Sequence, residues 1–203
     1  MRLKLPHQAR FWLLPAFLSV SGCVSVLPEQ PKPQAVYRLA EPERQVPVAA
    51  TLVVREPDAP RLLSSRNIAS EGPQGGYQIV PGVAWADRAT RLFQVTMIDS
   101  FSAGGSGFAV DNGTGISGDY ELYWRLHDFN LQGSEGVCRL SLTLMDGSNR
   151  KPIAQYSASA RVGASGTGPL ARARALAETG RDCVAEGARQ VSDKISQDFT
   201  PEG

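Results

Sequence analysis

"DYELYWRLHDFNLQ", residues 119–132, decides the fold. From Tyr120 it alternates large apolar with polar side chains, the two-residue period of a half-buried strand. The pattern places Tyr120, Leu122, Trp124, Leu126 and Asp128 on one face, and Glu121, Tyr123, Arg125, His127 and Phe129 on the other. "GVCRLSLTLMD", 136–146, repeats the alternation, with Cys138, Leu140, Leu142 and Leu144 on one side and Arg139, Ser141 and Thr143 on the other. "KPIAQYSASARV", 151–162, completes a set of three long strands. Turn residues at 133–136 and 146–149 separate them, so they read as antiparallel hairpins.

Strands with one apolar face need a covering layer. Pro169, a favoured first-turn residue, opens a helix expected to run to about Phe199. Leu176, Gly180, Cys183, Gly187, Val191 and Ile195 share one face of it, and the small residues among them allow a close approach to a sheet. Upstream, Asp87 is expected to cap a helix beginning near Arg88. Leu92, Phe93, Met97 and Phe101 form its apolar stripe over about four turns, and Gly104 and Gly105 end it. Shorter strands are expected at 36–39, at "TLVVRE" (51–56) and at 108–110, the last followed by a turn at 111–113. "LLSSRNIAS" (62–70) and "GYQIV" (76–80) flank the turn cluster "EGPQG" as a hairpin. The sum is α+β: an antiparallel sheet with two helices packed on one face, behind an N-terminal lipoprotein signal and tether.

That signal is read from residues 1–26. "MRLKLPHQAR" is a basic leader and "FWLLPAFLSV" a ten-residue apolar run, too short to span a bilayer but long enough for a secretory signal. Val20-Ser21-Gly22-Cys23 then resembles a bacterial lipobox: small residues give a peptidase access to the backbone, and the thiol carries the lipid. Cys23 is the expected lipidation site, and with a second acyl chain on the freed amine the protein would be held stably at a membrane. Residues 1–22 read as signal peptide, 23–35 as a lipid-anchored, proline-rich tether (Pro28, Pro31, Pro33), and 36–203 as one domain. Val24 stands where enterobacterial sorting would place Asp for inner-membrane retention, which favours the outer membrane, facing the periplasm, over the inner.

Removal of the leader leaves 18 Lys and Arg against 20 Asp and Glu, so no basic stripe remains for nucleic acid. His127 is the only histidine beyond the leader, and its strand neighbour Asp128 is expected on the opposite face, where the two do not easily pair as base and orienter. No catalytic residues, cofactor or metal site are expected. Neither "GGSGF" nor "GASGTG" completes a nucleophile elbow, no glycine-rich stretch ends as a nucleotide loop, and two cysteines with one distant histidine do not make a zinc site. With Cys23 assigned to lipid, Cys138 and Cys183 are an even pair, either a disulfide tying helix to sheet or two buried thiols. Tyr120, Tyr123, Trp124, Phe129 and Tyr156 lie on neighbouring strands; core packing is the first reading, a surface for a protein or lipid the second.

In order, the "YRL" strand, "LVVREPDAPRLLSSRNIAS", "GYQIVPGVAWADRATRLFQVTMIDSF" and "GDYELYWRLHDFNLQ" resemble the ABC-type transport auxiliary lipoprotein family, which includes the PqiC/YmbA-like proteins. The resemblance covers about residues 36–198; its most telling parts are 62–68, Trp85 before a helix, and "LHDFNL" at 126–131. The chain departs from it in the glycine-rich insert 104–118. What it implies is a non-enzymatic accessory subunit, docking the periplasmic apparatus of an MCE-type ABC transport system at the outer membrane. Such systems move lipids or other apolar molecules across the envelope. The implied partner is the MCE-domain protein, Trp85 and Phe129 carry over as structural residues, and a homo-oligomer stays open. The alternative is a periplasmic module that carries the lipid itself.

Overall fold

A computed structural model of the chain describes residues 32–102 and 106–199. In chain order the strands are β1 (Ala35–Tyr37), β2 (Val46–Pro47), β3 (Thr51–Val54), β4 (Asn67–Glu71) and β5 (Tyr77–Trp85). Helix α1 (Ala89–Asp99) follows, then β6 (Phe101–Ser102), β7 (Phe108–Asp111), β8 (Tyr120–Gln132), β9 (Glu135–Asp146), β10 (Pro152–Gly163) and helix α2 (Pro169–Phe199). The signal 1–22 and Cys23 lie outside the described residues, as do Gly104 and Gly105. β1 begins at Ala35, so the described chain is already strand at the last residue assigned to the tether.

β8, β9 and β10 form the expected antiparallel meander. Gly133 adopts φ +60° in the first turn, a conformation other side chains resist. In the second, the Asp146 carboxylate accepts from the Ser148 and Asn149 amides and from the Ser148 hydroxyl. The hydroxyl and the two amides hold that carboxyl below its ordinary range.

The rest of the sheet is mixed. β3 and β4 both pair parallel to the far edge of β8, β3 at its start (Leu52↔Tyr120) and β4 near its end (Ser70↔Leu131). β7 extends the sheet parallel to β3, while β4 and β5 form the expected hairpin and β1 adds parallel to β5. Thus the sheet is α+β and mostly antiparallel by pairing length, with parallel joints the alternation did not announce. Leu52, Val53 and Val54 are all buried, as in strands covered on both faces.

A β-bulge corrects the facing of β8. Leu126 pairs with Leu140, Asp128 with Arg139 and Phe129 with Cys138, so His127 is the extra residue. The alternation therefore resets: Asp128 faces outward to meet Arg139, and Phe129 turns into the core, 2% exposed. There it stacks on Trp85 (centroids 5.1 Å, planes 18° apart) and meets Phe93 edge-on at 4.7 Å. Phe93 in turn contacts Trp124 at 6.3 Å. Aromatic pairs of this geometry contribute about 0.5–1.5 kcal/mol beyond burial.

Both helices cover this apolar face. Leu176, Cys183, Val191 and Ile195 of α2 are fully buried on it. A Cβ at Gly180 would lie 2.7 Å from Leu39 Cδ2 and 3.2 Å from the Phe129 ring, so a larger residue would have to displace the Leu39 side chain for the helix to settle this close. α1 is shorter than expected. It starts at Ala89, and Asp87 accepts only from the Arg88 amide, one residue ahead of the capping position. It spans eleven residues, and Phe101, assigned to its stripe, instead belongs to β6, paired with β2 and still buried. Buried Gln94 ties α1 to the sheet, donating to the Val54 carbonyl (2.9 Å) and to Asn112 Oδ1 (3.0 Å). Cys138 on β9 and Cys183 on α2 face each other with Cα atoms 6.2 Å apart, within the range a disulfide spans.

Candidate functional site

The two faces of the meander have different fates. The inward face, with Leu122, Trp124, Leu126, Leu140, Leu142 and Leu144, is sealed by the helices. The outward face carries Glu121, Tyr123, Arg125, Ser141, Thr143, Arg139, Gln155, Ser157 and Ser159, in register across three strands. Both helices lie on the other side, so this wide polar surface faces solvent.

Ion pairs run across it. Arg55, just past β3, pairs with Glu121 (2.8 Å) and holds its guanidinium over the Tyr123 ring, 4.5 Å from the centroid. Burial pushes the Glu121 carboxyl up, but the hydrogen bonds and charge of Arg55 outweigh it and hold the group below its ordinary range. Arg125 pairs with Asp58 at 3.2 Å, and Arg139 with Asp128 at 2.7 Å. Arg161 reaches Glu135 at 3.5 Å and Gln132 at 3.2 Å. His127, lifted by the bulge, shares a 2.8 Å hydrogen bond with Ser141. Exposed pairs contribute about 0–1 kcal/mol each to folding, so this row adds little stability. It places arginine and tyrosine side chains, the types favoured at protein interfaces, side by side on the open face of the sheet.

A cleft of about 760 Å³ opens at the other end of the meander, lined by Asp119, Tyr120, Asp146, Ile153, Lys194 and Asp198. Its carboxylates already serve the fold: Asp119 accepts from the Thr51 amide at 2.8 Å, Asp146 holds the β9–β10 turn, and Asp198 receives the Tyr120 hydroxyl (3.3 Å) and Lys194. Burial and then the Asp198 charge push the Tyr120 phenol upward, so it stays a neutral donor. Among the described residues no group of three or more His, Cys, Asp or Glu is arranged to hold a metal ion. No helix among them is long and apolar enough to cross a membrane.

Of the aromatics weighed as a surface, Tyr120, Trp124 and Phe129 are core, and Trp124 donates its indole N–H to the Arg55 carbonyl at 2.6 Å. Tyr156 is half-buried against the core, which leaves Tyr123 facing outward. Cys23 lies outside the described residues. The ion-pair row was missed. Glu121, Arg125 and Arg139 were visible at outward alternating positions, but Arg55 and Asp58, the partners of Glu121 and Arg125, meet them across more than sixty residues, and Asp128, the partner of Arg139, was assigned to the opposite face.

The sheet is sealed by the helices on one face and leaves the other open. The chain belongs to the family of the ABC-type transport auxiliary lipoprotein component, whose model matches residues 29–192. No curated protein matches it in sequence. Among solved structures it is similar to a protein from Xanthomonas campestris, with TM-score 0.71 and 21% identity over 81% of this chain and 98% of that one. It is also similar to an uncharacterised protein, with TM-score 0.64 and 16% identity over 79% and 100% of the two chains. At such identities the likeness extends to the fold.

Proposed function

We propose that this chain is a non-enzymatic accessory subunit of an MCE-type ABC transport system that moves lipids or other apolar molecules across the envelope. It is anchored through acylated Cys23 at the outer membrane, faces the periplasm, and carries residues 36–203 as its working domain on the 23–35 tether. Cys138 and Cys183 are a disulfide in that oxidising compartment. The observation that carries the reading is the open, arginine-studded face of the meander, in a member of a transport auxiliary family. Docking of the MCE-domain protein on that face gives it a use. The alternative, a module that holds the lipid itself, finds less support, because the layer between α2 and the sheet is packed to contact at Gly180.

The test is capture of the MCE-domain protein from solubilised envelopes by the acylated full chain. Charge reversal in Arg125→Glu with Arg139→Glu is expected to reduce capture at least about tenfold while the unfolding midpoint stays put. Undiminished capture would move the docking site elsewhere, and no capture by the acylated parent would sink the MCE assignment.

A further inference from the structure

Residues 72–86, "GPQGGYQIVPGVAWA", carry no charged side chain in a chain that is 20% charged overall. This run is no buried strand. It forms the β4–β5 turn and the whole of β5, and Tyr77 and Ile79 are 50% and 54% exposed. Val80 points inward, so both project from the outward side of the sheet. β1, paired with β5, adds Val36 at 54% exposure. Three large half-exposed apolar residues thus sit on two paired strands, and β1 is an edge. Exposed Lys32 and Arg38 flank β1 and Glu71 pairs with Tyr77, so these apolar side chains form a patch bordered by charges.

The way the chain joins the domain indicates what covers it. β1 runs parallel to β5 in the register Ala35↔Val83, and the Gln34 amide donates to the Gly82 carbonyl at 2.8 Å. The described chain therefore starts at residue 32 alongside the uncharged strand. Eight residues lie between Cys23 and Lys32, and a chain of that length at polyproline rise covers about 28 Å from one to the other. The surface that adjoins the tether thus carries half-exposed apolar side chains, with the basic Lys32 and Arg38 beside them.

We propose that the β1–β5 edge is a second membrane contact, in which Val36, Tyr77 and Ile79 rest on the surface of the lipid bilayer that holds the anchor. This rests on the reading of Cys23 as the lipidated residue. A tyrosine beside aliphatic side chains suits the headgroup boundary, where its ring is buried and its hydroxyl stays wet. The contact gives the anchored domain a fixed orientation at the bilayer.

The test uses the full chain in its own envelope. A photoreactive benzoylphenylalanine replaces Ile79 and, as the control, Ile116, which is 45% exposed elsewhere on the surface. Phospholipid adducts, identified by mass spectrometry, are expected to be about tenfold more abundant at 79 than at 116. Val36→Ser with Tyr77→Ser should lower the adduct at 79 towards the control. Equal adducts at both positions would overturn the proposal. So would adducts at 79 to a second copy, to another protein or to the chain's own segment 23–31. The acyl mass on Cys23 is read from the same sample. A bare Cys23 counts against the anchor, while an acylated chain without lipid adducts counts against the docking alone.

Discussion

β8 is paired differently along its two edges. On one, β9 follows it through twelve residue pairs from Tyr120↔Asp146 to Gln132↔Glu135. On the other, β3 covers three residues, Asp58 bridges to Arg125, and β4 covers a single residue at Leu131. The first edge is a local antiparallel hairpin held by its own ladder. The second is assembled from distant pieces held in place by the side chains beneath them. A core mutation should therefore weaken the assembled half most, while the meander should tolerate a change that keeps each side chain on its face.

Phe129→Ala is the strongest way to break the contrast. It takes the ring from between Trp85 and Phe93, which belong to β5 and α1, and is expected to cost about 3–5 kcal/mol in denaturant unfolding. A loss below about 1 kcal/mol would mean the assembled half does not lean on this ring. Cys138→Ala with Cys183→Ala should cost about 2–4 kcal/mol for a loop of this length, the sequence separation being 45 residues. Reductant should reproduce that loss in the parent chain, and equal stability with and without it would show that the pair is not bonded. Gly180→Val drives a branched side chain into Leu39 and Phe129, with an expected loss of about 1–3 kcal/mol and a changed near-UV spectrum.

Deletion of His127 sharpens the comparison from the other side. Removing the extra residue of the bulge leaves Leu126 and Phe129 inward and Asp128 outward, so the meander should lose about 1 kcal/mol or less. A collapse of the fold would show that the bulge itself is needed. The smallest effect is electrostatic. Glu121 titrates below its ordinary value of 4.5, so its contribution is present above that pH and is lost as pH falls through the folded value. The thermal midpoints of the parent and Glu121→Gln should differ at pH 7 and draw together as the solution is acidified; a constant gap would assign the loss to packing.

The meander was legible because alternation is a direct image of half-burial: Leu140, Leu142 and Leu144 face inward where the period puts them. The bulge was not, since one inserted residue leaves both flanks alternating and shows only as the adjacent polar pair His127-Asp128 before Phe129. β3 gave a strand but no face or partner, because all of Leu52, Val53 and Val54 are buried and the period vanishes. The length of α1 was overread, because Phe101 keeps the four-residue spacing after the helix has ended. At the surface, outward residues of long strands could be named in advance, but which charges meet depends on pairings across tens of residues, as with Arg55 and Glu121.

The parallel pairing of β1 also has a mechanical consequence. Any pull on the chain at residue 32 reaches the domain first through β1. If the pull follows the strand axis, the bonds from Gln34 to Gly82 (2.8 Å) and from the Ala86 amide to the Tyr37 carbonyl (2.7 Å) are strained together rather than one after another. The Ala40 amide, bonded to the Ala177 carbonyl of α2, passes the remaining load to the longest helix. A domain joined this way resists tension in shear, as a lap joint does, instead of peeling from its first strand. Single-molecule extension from residue 32 should then give one abrupt rupture, whereas a stepwise release of β1 at low force would show that the joint peels.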